Sequence, residues 1–445
     1  MQLNGPTHIA VDSLGNVYFT DSSGPVRRVD TQGNITTFAG GLATGAGDCT
    51  NSGTSTIGDG CPANETYVHS GYDIAIDPAS GDIYISENTG EHIRKVSHST
   101  YLMSTVVDVA GTKSGLDGDL TTCSTTPGAT CSGTAATING PRGLAVDKHG
   151  NLYIMDEGNF AVRLANFTTG QLTTFVNTAK VKATATTCAT DATSGGVTAS
   201  SASLGVAGAI AFDNADNLYI TDSTCNYVFK VAENPATGMV DANSILTVVM
   251  GTGLSTPAQA TFTNQLGTTV NFTPAGVVAD LQGNLYVGES TGNHVWFWDR
   301  ATGYMHTVFG GGTGGSCFGV AGSGTSPYNG CDGIDSTLTT TKGTGGLALD
   351  AWGNLYITDS ASFYVHKISV GSSAPTATTP AGNPNAILHV GANDAIRVLT
   401  RLSRQTLPLR RVAPSIFRQR FRLVTIRRTA GTSLYQHQSL DQRSI

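Results

Sequence analysis

Groups able to hold a metal or move a proton stand out in this chain where one copy of a repeated pattern departs from the others. His8 and Asp73 occupy the same slot in two consecutive copies, where the later four carry Gly143, Ala209, Gly276 and Gly346. An imidazole beside a carboxylate can bind a metal or shuttle a proton, although two polar residues on a wetted rim is the plainer reading. A second slot runs Pro25, His92, Ala161, Tyr227, His294 and Tyr364. His92 and His294 fall three copies apart, so on a ring of six they would oppose each other, and a shared metal would still need a third ligand at about 2 Å. No HxxxH spacing supplies one. Arg142, at the entrance of the third copy, is the best-placed anion anchor. The candidate ligand-binding set is therefore His8, Asp73, Arg142, His92, Tyr227, His294 and Tyr364, with no catalytic residue and no metal ligand assigned.

The copies themselves read HIAVDSLGNVYFTD from His8, DIAIDPASGDIYISE from Asp73, GLAVDKHGNLYIMD from Gly143, AIAFDNADNLYITD from Ala209, GVVADLQGNLYVGE from Gly276 and GLALDAWGNLYITD from Gly346. Their first Asp recurs at 12, 77, 147, 213, 280 and 350, spacings of 65 to 70 that indicate blades or solenoid turns. Within each copy apolar and small residues alternate at period two, the mark of half-buried strands. A turn of the form DSLGN joins the first two, Val26, Ile93, Val162, Val228, Val295 and Val365 mark a third, and a fourth follows. Four antiparallel strands repeated six times predict an all-β, six-bladed β-propeller over residues 1–390. Blade six takes its outer strand from 386–390. An acid closes each second strand (Asp21, Glu87, Asp156, Asp222, Glu289, Asp359), and its recurrence in every copy argues for backbone hydrogen bonding rather than a ring of metal ligands.

The units GPRGLAVDKHGNLYIMDEGN and GGLALDAWGNLYITDS resemble NHL repeats, and the likeness runs over about residues 3–370. The resemblance implies a six-bladed propeller and little about activity, since similar propellers include interaction modules, sensor ectodomains, RNA-binding domains and a metal-dependent lyase that uses channel histidines on zinc.

Long connections rich in Gly, Thr, Ser and Ala precede blades two to six, at about 40–70, 111–139, 177–206, 250–273 and 310–344. All emerge on one face, where rigid scaffolds present binding surfaces. The eight cysteines gather there, and local spacing pairs Cys49 with Cys61, Cys123 with Cys131 and Cys317 with Cys331, leaving Cys188 with Cys225. An even count without CxxC pairs reads as disulfides, and so as an extracellular or cell-envelope location. The opening MQLNGPTHIAVD shows no signal peptide, which suggests a truncated start.

Composition bounds the rest. With 55 Gly and 13% charged residues the 445-residue chain is poor helix material, and no apolar run is long enough for a membrane span. Residues 391–445 hold eleven of the 25 basic residues and two of the 32 acidic ones, leaving 14 basic against 30 acidic in the body. So acidic a propeller repels phosphate backbones and is not expected to bind nucleic acid. The Arg-rich tail, 391–445, reads as a basic, disordered or non-native extension. These features together predict a monomeric, non-catalytic scaffold without cofactor, binding a protein, peptide or glycan on its looped face. The alternative is a lyase or lactonase with zinc or calcium in the channel.

Overall fold

A computed structural model describes residues 3–22, 24–42, 58–107, 131–132, 138–168, 171–193, 195–255, 263–290, 294–310, 345–360, 363–368 and 387–390. Six antiparallel sheets form a six-bladed propeller. Their inner strands are Pro6–Val11, Gly71–Ile76, Pro141–Val146, Ala207–Phe212, Pro274–Ala279 and Leu347–Leu349. The second strands, such as Val17–Asp21 and Leu152–Asp156, are buried at every residue. Blade six closes with Ile387–Val390 paired to Tyr364–Ile368, the outer strand expected from sequence. The tail from 391 lies outside the described residues.

The recurring Asp, Gly, Asn and Tyr form one local hydrogen-bond unit. Asp12 Oδ1 accepts the backbone N–H groups of Leu14 at 3.0 Å and Asn16 at 2.8 Å, and Oδ2 accepts the Asn16 amide at 2.6 Å and the Tyr18 hydroxyl at 3.2 Å. Asp147, Asp213 and Asp350 repeat it with Tyr153, Tyr219 and Tyr356. Gly15 sits at φ +88° inside this turn, a conformation that costs a side-chain-bearing residue far more. The Tyr rings then fill the seams between blades: Tyr153 packs edge-on against Phe175 and Phe212, the latter from blade four. At the last seam Leu3, Ile9 and Phe19 meet Ala348, Tyr356 and Val365.

Not every blade has four strands. Blades three, four and five gain a fifth, Cys131–Ser132, Val197–Thr198 and Thr263–Leu266, each drawn from the connection preceding that blade and paired outside its fourth strand. An isolated Pro62↔Leu102 bridge does the same for blade two. An exposed fourth strand offers unpaired backbone groups to any passing strand, and the wrapped segment covers them. Part of the long connections therefore serves the blade edges. One of them also contains a helix the composition did not predict, Ala185–Thr193, whose start is capped by Thr184 Oγ1 accepting the Thr187 N–H at 3.3 Å.

Hydroxyls tie neighbouring blades at the axis. Thr20 Oγ1 accepts the His8 N–H at 3.0 Å and reaches the Tyr72 carbonyl, also at 3.0 Å, in blade two. Ser86 reaches the Arg142 carbonyl at 2.7 Å, Thr221 that of Ala275 at 2.7 Å, and Thr358 that of Thr7 at 2.6 Å. The last bond joins blade six to blade one, so the ring closes without exchanging a strand. Thr358→Val keeps the shape and removes the donor; it is expected to lower unfolding free energy by about 1–3 kcal/mol, measured by urea denaturation against wild type. An unchanged midpoint and slope would remove this bond from the account of closure.

Candidate functional site

The first residues of the inner strands surround one end of the channel. Two cavities lie there, one of about 290 Å³ at the mouth, lined by Thr7, Tyr72, Arg142 and Gly345 among others, and one of about 250 Å³ in the bore. His8 lines both, and Asp73 lines the bore. The mouth opens on the face where the inter-blade connections arrive, because each inner strand begins there.

His8 is buried, its ring 4.3 Å from that of Tyr72. Burial, and after it the Arg142 charge, lowers its pKa to about 3, so the imidazole is neutral at physiological pH. Arg142 lies over the Tyr72 ring at 5.2 Å, and its Nε stands 2.7 Å from Glu157 Oε2. The guanidinium is thus already compensated. Asp73 accepts the Ile74 N–H on Oδ1 and, across the blade junction, the Leu144 N–H on Oδ2, both at 2.8 Å. Burial still outweighs these bonds and pushes its pKa up to about 7.

His8, Asp73 and Arg142, taken as candidates from sequence, therefore converge on one end of the channel, although no hydrogen bond or ion pair joins His8 to Asp73. The other four lie away from these cavities. His92, Tyr227 and Tyr364 start third strands, in register with Glu87, Asp222 and Asp359, and His294 immediately precedes the strand Val295–Trp298. None of the four lines either cavity. Two strand spacings, about 10 Å, separate a third strand from the inner one, so His92 and His294 do not face each other across the channel. His294 Nδ1 instead lies 3.2 Å from Glu289 Oε2, and its ring stacks on Trp296 at 4.8 Å.

The acid ring serves the blades. Asp21 and Asp156 accept backbone N–H groups of the chain leading into their own blades, at Asn4 and Asn139, while Asp156 also lies 3.1 Å from Arg163 Nη1. Asp222 accepts those of Gly205, Thr224 and Cys225. Among the described residues no three His, Cys, Asp or Glu side chains gather where they could hold a metal ion.

Sequence comparison missed Tyr72 and Glu157, which set the surroundings of His8 and Arg142. For Tyr72 the signal lay one residue upstream of the slot first compared: Thr7, Tyr72, Arg142, Gly208, Ala275, Gly345.

The expected Cys188–Cys225 disulfide is present and fastens the helix Ala185–Thr193 to the turn after the second strand of blade four. Cys61 is also disulfide-bonded. Cys49, Cys123, Cys317 and Cys331 lie outside the described residues, as does the side chain of Cys131. Replacing Cys188 and Cys225 together by Ser is expected to cost about 4 kcal/mol, given the 37-residue separation they close. Thermal unfolding in non-reducing buffer measures it, and an unchanged Tm would show the clamp to be redundant.

A family model described as the Teneurin NHL domain matches residues 63–369. Solved structures with a similar fold include virginiamycin B lyase from Staphylococcus aureus, 11% identical over 89% of this chain and 88% of that one, TM-score 0.44. An auxiliary nutrient binding protein from Bacteroides thetaiotaomicron is 13% identical over 80% and 67%, TM-score 0.49. A gluconolactonase from Xanthomonas campestris is 12% identical over 81% and 84%, TM-score 0.46. Likenesses of this strength concern the fold and carry no argument about activity.

Proposed function

Because the chain belongs to the Teneurin NHL domain family, matched over residues 63–369, we propose that this propeller is a secreted or envelope-exposed scaffold that binds a protein, peptide or glycan on its looped face without catalysis. The observation that carries the reading is the state of the channel-mouth groups. A general base works best with a pKa near the working pH, whereas burial holds His8 at about 3. Arg142 is engaged by Glu157, and Asp73, whose pKa of about 7 would suit a base, has each oxygen already accepting a backbone N–H. These groups are arranged to shape a cavity, and that cavity opens where the connections gather. The disulfides support an oxidising compartment. The scaffold is proposed to act as a monomer without a cofactor.

Elemental analysis of the full chain, purified without chelator or reductant, tests this against a metal-dependent lyase or lactonase. The expected result is no stoichiometric zinc or calcium. About one ion per chain, lost in His8→Ala, would overturn the scaffold reading and put catalysis in the channel.

A further inference from the structure

The mouth is built asymmetrically. Blades one to three place Thr7, Tyr72 and Arg142 around it, while blades four to six place Gly208, Ala275 and Gly345. The aromatic ring and the guanidinium therefore face positions that offer backbone and one methyl, beside which Ser223, Ser290, Ser360, Val206 and Pro274 also line the cavity of about 290 Å³ that the small residues leave open. A Cβ added to Gly208 would meet nothing nearer than the Ala275 carbonyl oxygen at 3.6 Å. One added to Gly345 would stand 3.3 Å from His8 Nε2, so the imidazole reaches toward the side that the glycines leave open. His8 is 6% exposed, and a backbone hydrogen bond with Tyr72 is among the influences on its imidazole.

Charge decides what kind of ligand fits. Arg142 is compensated by Glu157 at 2.7 Å, the imidazole is neutral, and burial keeps the Tyr72 phenol protonated. An anion would have to compete with Glu157 for Arg142, and a cation would meet the guanidinium. Donors and acceptors remain without net charge. The volume lies at the low end of small-molecule sites, enough for one ring rather than a chain. Tyr72 is already held by His8 at 4.3 Å and Arg142 at 5.2 Å, so little ordering remains for a ligand to impose.

We propose that the channel mouth is a subsite for one neutral, hydroxyl-bearing ring, a neutral monosaccharide either free or at the exposed end of a glycan. The assignment rests on the scaffold reading and narrows it to a ligand class.

Saturation-transfer NMR on the full, non-reduced chain tests it with glucose, galactose, mannose and N-acetylglucosamine, and with glucuronate and glucosamine as charged counterparts. At least one neutral sugar is expected to bind, with the charged ones weaker by about tenfold or more. Gly208→Leu fills the mouth from a position with room for a side chain and is expected to weaken binding by about tenfold or more while leaving thermal unfolding near wild type. Should that variant fail to fold, Ala275→Leu blocks the same space from the next blade. Sensors bearing the preferred sugar at a glycan end separate the two sources: binding there as well as in solution assigns the terminal residue, and binding in solution alone assigns the free sugar. No neutral sugar bound, preference for a charged one, or full binding by the filled variants would overturn the assignment. If wild type and Gly208→Leu capture the same immobilised peptide or protein equally and neither binds sugar, this assignment falls and the scaffold reading stands.

Discussion

Arg163→Met is expected to lower unfolding free energy by about 3–5 kcal/mol at neutral pH, with Asp156→Asn in the same chain restoring much of the loss. Arg163 is 1% exposed in the third strand of blade three, its Nη1 3.1 Å from Asp156 Oδ2. Burial dominates both partners, raising the Asp156 pKa and lowering that of Arg163, so the pair offsets a desolvation cost rather than adding a large surplus. Removing the guanidinium leaves a buried carboxylate still accepting the Asn139 N–H at 2.9 Å and the Asn159 amide at 2.8 Å, too little to replace a cation. Protonating that carboxylate relieves the strain, so the deficit should shrink as pH falls from 8 to 5 in urea titrations. A single variant within about 1 kcal/mol of wild type at pH 8 would show that this member of the acid ring is not holding its blade. The same slot of the third strand carries Arg27, Arg94, Trp296 and His366 facing Asp21, Glu87, Glu289 and Asp359. In blade four Phe229 stands there, and Asp222 takes three backbone donors instead.

The blades were legible because their grammar is local. Asp12, Asn16 and Tyr18 satisfy one another within six residues, so the spacing survives in the sequence as a repeated phrase. The added edge strands had no such trace: Cys131–Ser132 pairs with Gln171 and Leu172 far along the chain, through backbone groups any Gly- or Thr-rich segment can offer. Thr20, Ser86, Thr221 and Thr358 were visible as the small residue before each acid. Their partners, however, lie in the next blade, where repeat comparison does not look. Met155 and Gly288 fill that position in the other two blades. The histidines show the opposite case. Alignment gives height along a strand and not distance from the axis, so it does not separate His8, which lines both cavities, from His92 and His294, which line neither.

His8 and Asp73 should impose opposite pH dependences on stability, and single substitutions should expose them. The Asp73 pKa rises from its ordinary value of 3.8 to about 7 in the fold, so between these values the folded state holds a proton the unfolded state has released. Its contribution is complete below about pH 4 and is lost as pH rises through 7. The His8 pKa falls from 6.5 to about 3, so in that range the unfolded state holds the extra proton, and stability is lost as pH falls. In wild type the two slopes nearly cancel between pH 4 and 6.5. In His8→Gln only the Asp73 slope survives, and that variant should gain about 3 kcal/mol relative to wild type on going from pH 7 to pH 4. Asp73→Asn should lose about 3–4 kcal/mol over the same interval, on top of a constant penalty from presenting an amide to the Leu144 and Ile74 N–H groups. Urea denaturation of all three proteins at each pH supplies the test, and comparison with wild type removes the background of other titrating groups. Parallel profiles would mean that water reaches both groups freely, and the neutral, enclosed mouth on which the ligand class depends would have to be abandoned.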